Sequence, residues 1–218
     1  MAFGAEKHVY TGTRVDQAEF DAGLRAHMLR VYNYMVCGLL LTGILAVVVA
    51  QFSVVTNDAG QIVGLTSLGQ TLFGSPLKWV VMLAPLGLVF FLSARLHKMS
   101  YSTAQTTFWI YAALMGISLA TIFMAFTGAS VARVFFITAG TFAGMSLWAY
   151  TTKKDLSGWG SFLFMGLIGI IIAMIVNIFI GSSALQFAIS VIGVLVFVGL
   201  TAYDTQNIKN EYAEHYDE

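Results

Sequence analysis

The sequence is poor in charge: only 10% of its residues are Asp, Glu, Lys or Arg, against 58% that are hydrophobic. So little charge cannot cover a water-soluble globule of 218 residues, and lipid is the solvent that suits such a chain. The few cations are scattered and the net charge is zero, which leaves no basic block for nucleic acid or a polybasic lipid site. A single cysteine, Cys37, excludes an internal disulfide or a cysteine-rich metal site, and its place in an apolar run reads as core packing. Proline occurs only twice. One of the two, Pro85, falls inside an apolar run, where the missing N–H implies a kink. The first 30 residues carry mixed charge and no early apolar run, so no cleaved signal peptide is expected and the first span must itself act as the insertion signal.

What the chain has is long apolar runs. Six of them, at about 31–52, 77–94, 104–126, 131–150, 160–180 and 184–206, are each long enough to cross a hydrocarbon core of roughly 30 Å as a helix. The expected fold is therefore all-α, a polytopic transmembrane helix bundle of six spans. It divides into an N-terminal tail (1–30), the bundle (31–206) and a C-terminal segment (207–218). One longer loop, Ser53 to Pro76, contains Asn57, Asp58 and Gly60; the other connections, among them Gly181-Ser182-Ser183, are short turns that make neighbouring helices antiparallel. Small residues four apart allow close helix contact. Ala112, Gly116 and Ala120 form one such ridge, and Gly140 with Gly144 another.

Lys7, Arg14, Arg25, Arg30, Arg95, Lys98, Lys153, Lys154 and Lys209 all fall in segments on one side of the six spans, and only Lys78 and Arg133 fall on the other. The positive-inside rule then puts both termini in the cytoplasm.

Ten of the eleven acidic residues lie in tails or connections, and Asp204 alone belongs to an apolar helix. An ionisable group there costs a few kcal/mol unless it is paired, neutralised or wetted, which makes it a functional candidate. The plainer reading is a solvated acid at the interface. Against it, an acid at the C-terminal end of a helix opposes the macrodipole. If the helix continues through 204, then Thr201, Asp204, Thr205 and Ile208 share one face, a polar stripe suited to a water-filled pore. Low-dielectric surroundings favour the neutral acid, so protonation of Asp204 is a candidate switch. Arg95, at the end of the second span, is a weaker candidate because an Arg at a membrane boundary usually snorkels to headgroups. His97 reads as exposed, and Asn177 as the donor of an interhelical hydrogen bond.

Enzyme chemistry is poorly supported, and no catalytic residue or cofactor is expected. Gly144-Met145-Ser146-Leu147 superficially suggests a membrane serine protease, but no histidine lies within an apolar span to act as its base. Tyr203-Asp204 offers half of an aspartyl protease pair, without a Gly-x-Gly-Asp partner. Phosphate loops and dinucleotide fingerprints are missing.

The segment Ala202-Tyr203-Asp204-Thr205-Gln206 resembles the signature of the transmembrane Bax inhibitor motif family, also called the Bax inhibitor-1 family. The approach to the first span, Gly23-Leu24-Arg25-Ala26-His27-Met28-Leu29-Arg30-Val31-Tyr32, is similar to its bacterial members, as is Asn177-Ile178-Phe179. The resemblance implies a helix bundle mediating a pH-sensitive calcium leak, with two aspartates on the last two helices near the cytoplasmic mouth and an arginine on the second helix holding the closed state. Asp204 matches the first aspartate through its motif, and Arg95 matches the arginine by its place. The resemblance also implies a seventh, shorter helix with a Leu-Tyr-Leu-Asp-like segment, whereas this sequence ends at His215-Tyr216-Asp217-Glu218. Asp217 lies in a charged, non-membrane segment and is not assumed to replace the second aspartate.

The expected function is thus a calcium or cation leak channel of a bacterial inner membrane. Asp204 serves as pH sensor and cation contact, Arg95 as closed-state partner, and Thr201 with Thr205 as pore lining. The rival is a non-conducting regulator that presents its cytoplasmic tail to a membrane-bound protease or to a cell-death or stress-response protein.

Overall fold

A backbone in lipid finds no water for its N–H and C=O groups, so an apolar run persists there only as a helix that satisfies itself. The computed structural model describes residues 14–58, 60–95, 98–126 and 128–216, with side chains from Phe20 to Tyr212. Lys7, His97 and Asp217 lie outside the described residues, as does the side chain of Arg14. Six helices are long and apolar enough to cross a membrane: α1 (Arg14–Ser53), α2 (Leu77–Arg95), α3 (Tyr101–Ala125), α4 (Gly128–Thr151), α5 (Gly160–Ile180) and α6 (Ser183–Tyr216). The chain is an integral, multi-pass, all-α membrane protein.

Two helices outrun their apolar segments. Helix α1 has 40 residues, about 60 Å at 1.5 Å per residue, twice the hydrocarbon thickness. Its added turns come before residue 31, where hydropathy had fallen away but helix propensity had not. In the same way α6 continues past 206 to Tyr216.

The connection read as a loop between 53 and 76 is ordered. It holds a two-stranded antiparallel hairpin, β1 (Val54–Thr56) and β2 (Ile62–Leu65), followed by one helical turn at Ser67–Gly69 and one wide turn at Gln70–Gly74. The hairpin bend closes on Asn57, whose carbonyl accepts Gly60 N–H at 2.9 Å and whose side chain accepts Gln61 N–H at 2.8 Å. Gly60 sits at φ 73°, a conformation that favours glycine.

The chain forms two compact units, residues 31–137 and residues 138–218 with those up to Arg30. In the first, α1 and α3 run side by side in the same direction along a seam of small and polar residues. The Tyr34 and Tyr101 hydroxyls meet at 3.1 Å and Gln105 donates to Tyr34 at 3.3 Å. The Thr42 hydroxyl donates to the Ala112 carbonyl at 2.8 Å. A methyl on Gly116 would fall 2.7 Å from the Thr42 carbonyl oxygen, and one on Gly38 would meet the ring of Phe108. Ala46, Ala50, Ala112 and Ala120 are buried, so the expected Ala112-Gly116-Ala120 ridge is a contact surface. Pro85 is buried within a helix that continues through it.

Cys37 is not core. It is exposed, because the α1 seam runs through Tyr34, Gly38 and Thr42 and leaves position 37 about 100° away on the helix circumference.

In the second unit α5 and α6 form an antiparallel hairpin of helices. Methyls on Gly166 and Gly199 would meet Val196 and Leu163 at 3.1 and 2.6 Å. The turn between them corrects the reading of Asn177. Its carboxamide oxygen accepts the Ser182 N–H at 3.0 Å, while its carbonyl accepts the N–H of Gly181, which sits at φ 66°. The side chain is spent on ending its own helix rather than on a neighbouring one. Gly140 and Gly144 also depart from expectation: both are exposed, and a methyl on either would meet nothing within 4 Å.

The two glycine patterns should therefore respond differently. Gly116→Ala is expected to destabilise the protein by about 1–3 kcal/mol, because backbone on the facing helix must move, while Gly140→Ala and Gly144→Ala leave stability unchanged. Unfolding of purified protein in mixed detergent micelles checks both.

Candidate functional site

The helix does continue through Asp204, and for about three turns beyond it, to Tyr216. This removes one argument made for the acid. The macrodipole acts within the last turn, so at 204 it neither opposes nor favours a negative charge.

Around Asp204 the signature segment is occupied by packing. Ala202 is buried. The Tyr203 ring lies against Gly160, the first residue of α5, where a methyl would come within 2.5 Å of the ring. Thr205 is buried; its hydroxyl donates to the Thr201 carbonyl at 2.8 Å and reaches the buried Ser146 hydroxyl of α4 at 3.5 Å. Gln206 is buried and bridges the α4–α5 connection: its carboxamide oxygen accepts Leu156 N–H at 2.7 Å and its amide donates to the Lys154 carbonyl at 2.8 Å. Tyr203, Thr205 and Gln206 thus reach α5, α4 and the link between them, and Ala202 is buried beside them.

Asp204 is the exception. It lies about 160° around the helix from both Ala202 and Gln206, it is exposed, and among the described residues its carboxylate has no hydrogen bond or ion pair. The expected polar stripe is therefore graded. Thr201 is half-buried, with its hydroxyl bonded back to the Phe197 carbonyl at 2.8 Å; Thr205 faces the packed side; Ile208 is half-buried. Of the four, only Asp204 offers an uncommitted polar group. Arg95 ends α2 in the other unit, exposed, with its guanidinium 6.0 Å from the Phe91 ring on the preceding turn. That is the posture of a snorkelling residue. Among the described residues no three His, Cys, Asp or Glu side chains converge on a point where they could hold a metal.

The link that Gln206 holds is tied down twice more. Lys209 of α6 donates to the Tyr150 carbonyl at 3.1 Å and lies over the Tyr150 ring, placing a cation at the C-terminal end of α4. Asp155 accepts Ser157 N–H at 2.8 Å. Hydrogen bonds from the Ser157 side chain, and then from its backbone, hold the Asp155 carboxyl below the usual carboxylate range. A carboxyl lowered in this way supports the folded link above its unfolded-state value and loses that effect as pH falls through the folded-state one.

The last turns of α6 also meet the start of α1. Tyr212 stacks with Phe20 at 5.7 Å and His27 at 5.2 Å, and it closes on Gly23 so tightly that a methyl there would clash with its hydroxyl. Leu24 and Met28 are buried. Gln206 stands out in the sequence only as part of the signature, Lys209 only for its charge and Tyr212 not at all, because polar residues near the end of an apolar run look like a solvated end. The signal present was their spacing from Ala202 and Thr205, which continues the packed face at i+3, i+4 and i+7.

The model of a family described as inhibitor of apoptosis-promoting Bax1 matches residues 24–218. The inner membrane protein YbhL of Escherichia coli is 46% identical over 189 residues, covering 87% of this chain and 76% of that protein. An uncharacterized protein of Rickettsia prowazekii is 46% identical over 193 residues, 88% of this chain and 76% of its own length. One of Caulobacter vibrioides is 45% identical over 199 residues, 89% and 76% respectively. No solved structure matches. The match runs from the buried Leu24 through the whole of the α6 signature, and the chain belongs to the family of inhibitors of apoptosis-promoting Bax1.

Proposed function

We propose that this protein is a cation leak channel, with calcium as the transported ion and protonation of Asp204 as the event that shifts it between closed and open states. One observation carries the reading: within 202–206, Asp204 is the residue whose side chain is not engaged in packing. A free carboxylate on a spanning helix is costly to keep, and a fixed ring of contacts around it sets its position without neutralising it. One carboxylate completed by water and carbonyl oxygens suits a hard cation such as calcium. A proton on the same carboxylate removes that ligand and its charge together, which biases a two-state element by a few kcal/mol. In this reading Thr201 lines the path and Arg95 favours the closed state. No residue acts as a catalyst. The membrane is the bacterial inner membrane, a reading supported by the similarity to the inner membrane protein YbhL, with both ends of this chain on the cytoplasmic side.

A second reading is favoured by the contact of Phe20, Gly23 and His27 with Tyr212. It builds a helical platform from polar turns that continue beyond the apolar runs of α1 and α6. On such a platform the protein would regulate a membrane-bound protease or a stress-response partner without conducting. Deleting residues 1–30 cannot separate the readings, since that deletion also strips buried Leu24 and Met28 from the fold. Deleting 1–13 can. The channel reading expects calcium flux in liposomes to survive that deletion; a lost cellular phenotype, with flux absent from the intact protein, favours the regulator.

The division of labour inside the signature is directly testable. Wild-type protein in calcium-indicator liposomes is expected to show flux that varies with pH. Asp204→Asn, a neutral mimic of the protonated acid, should flatten that profile at unchanged thermal stability. An unaltered profile in folded, inserted Asp204→Asn would remove Asp204 from the mechanism. Asp155→Asn serves as the control for the other pH-responsive carboxyl and should keep the dependence. Gln206→Leu is expected to do the reverse of Asp204→Asn, costing about 1–3 kcal/mol by leaving the Leu156 N–H and Lys154 carbonyl unpaired. Chemical unfolding in detergent measures that loss.

A further inference from the structure

The hairpin between α1 and α2 is short, tethered and apolar where an aqueous loop would be polar. Thr66, just after β2, ties it back to α1: its hydroxyl donates to the Phe52 carbonyl at 2.7 Å and its N–H to the Ser53 carbonyl at 3.1 Å. Gly69 is pressed so closely on Ser53 that a methyl there would clash with the Ser53 carbonyl oxygen. With both ends fixed to the last turn of α1, the hairpin cannot swing away from the point where that helix leaves the membrane.

Its side chains do not suit water. Val55, Ile62, Val63 and Leu65 are 46%, 47%, 62% and 37% exposed, and Leu68 follows them at 46%. An antiparallel pair with one face in water alternates apolar with polar residues, and an exposed apolar edge invites aggregation. Here the polar side chains are gathered at the bend, Asn57, Asp58 and Gln61, while the strands nearer α1 are mostly Val, Ile and Leu. Polarity therefore grades along the hairpin, from apolar base to polar tip.

The flanking helices mark the same level. Phe52, one residue before the end of α1, is exposed, and so is Trp79 near the start of α2, with the Lys78 ammonium 5.6 Å from its ring centre. An aromatic ring with a neighbouring lysine is the usual furniture of the headgroup layer. Strands of three and four residues extend about 10–13 Å, and the headgroup layer is roughly 5–8 Å deep on each face. A hairpin of that reach, starting at the hydrocarbon edge, keeps its base in the layer and puts its tip in water.

We infer that the hairpin Val54–Leu65 is an interfacial anchor, seated in the headgroup–acyl boundary of the same bilayer that α1 spans. Exposed apolar side chains continue from the last turn of α1, at Phe52, into the hairpin, at Val55, Ile62 and Val63, which identifies the lipid around α1 as the occupant. Anchors of this kind fix the tilt and height of the helices they join. Here those are α1, which carries the seam with α3, and α2.

Nitroxide labels on the full-length chain test this, in a Cys37→Ala background and in vesicles of phosphatidylethanolamine and phosphatidylglycerol. Labels at Val55→Cys and Val63→Cys should collide more often with oxygen than with a water-soluble nickel chelate. A label at Asp58→Cys should show the opposite, and one at the exposed mid-span Leu40→Cys should report lipid and prove insertion. Adding Ile62→Asp should move the Val63 label toward the aqueous pattern and leave the Leu40 label unchanged. An aqueous pattern at Val55 and Val63 in inserted protein overturns the anchor. Immobilised labels shielded from both reagents also overturn it, because the hairpin would then be covered by protein.

Discussion

Lipid gives apolar side chains almost nothing for leaving it, so helices inside a bilayer cannot be held by the force that holds a soluble core. What remains is close van der Waals contact, which needs small residues, and hydrogen bonds from short polar side chains to backbone. Both units of this chain are built from those two means. In residues 31–137 the contact of α1 with α3 rests on Gly38, Gly116 and the bond from Thr42 to Ala112. In the other unit α5 and α6 meet over Gly160, Gly166 and Gly199, and Gln206 and Lys209 reach backbone carbonyls of α4 and its following link. Large apolar residues such as Phe136, Phe179 and Phe187 are left outside, where lipid serves them equally well.

The same constraint explains the signature on α6. A side chain that holds helices together in lipid has its geometry fixed by a backbone partner, and such partners surround Asp204 on every side of the helix but its own. The acid is positioned by Tyr203 against Gly160, Thr205 near Ser146 and Gln206 across the link, none of which touches its charge. Positioning without neutralisation is the arrangement that a titrating or cation-binding group requires. A carboxylate buried in an ion pair would be equally well placed but fixed in one charge state over a wide pH range.

How much of this could be read from the sequence follows from what hydropathy reports. It reports membrane, so the six spans were legible, but helices end where their caps and contacts do, so the extensions of α1 back to Arg14 and of α6 on to Tyr216 were not. A small residue every fourth position reports permission for close approach. That permission is used at Gly116 and unused at Gly140 and Gly144. Asn177 drew notice as a polar group among apolar ones, yet Gly181 four residues on was the better clue, since a left-handed glycine there turns the amide toward its own helix end. Asp204 was found because charge in lipid is conspicuous. The bridging role of Gln206, named only as part of the signature, escaped because an uncharged amide near a polar terminus is not conspicuous, although its burial makes it the stronger structural residue. The hairpin was hidden for a related reason: its Asn, Asp and Gly mark a bend, and five apolar strand residues are too few to register as anything but loop.

The exposure of Asp204 bears on what makes a conducting path. An ionised carboxylate on this helix, with no partner among the described residues, survives only where water reaches it, and without water it survives only with a proton attached. In the channel reading proposed above, the residue would report hydration as well as serve as a ligand. Ion passage needs a wet route at that depth before any side chain can select what travels along it, and in the proposed channel the charge state of Asp204 would be coupled to that wetting in both directions. Wetting favours the carboxylate, and the carboxylate in turn holds water that a neutral acid would release. A switch of this sort needs no second carboxylate to be bistable, only two hydration states of one helix face separated by a few kcal/mol. A second acid nearby would shift the pH at which the two states balance, while the proposed coupling would need only the one carboxylate on α6.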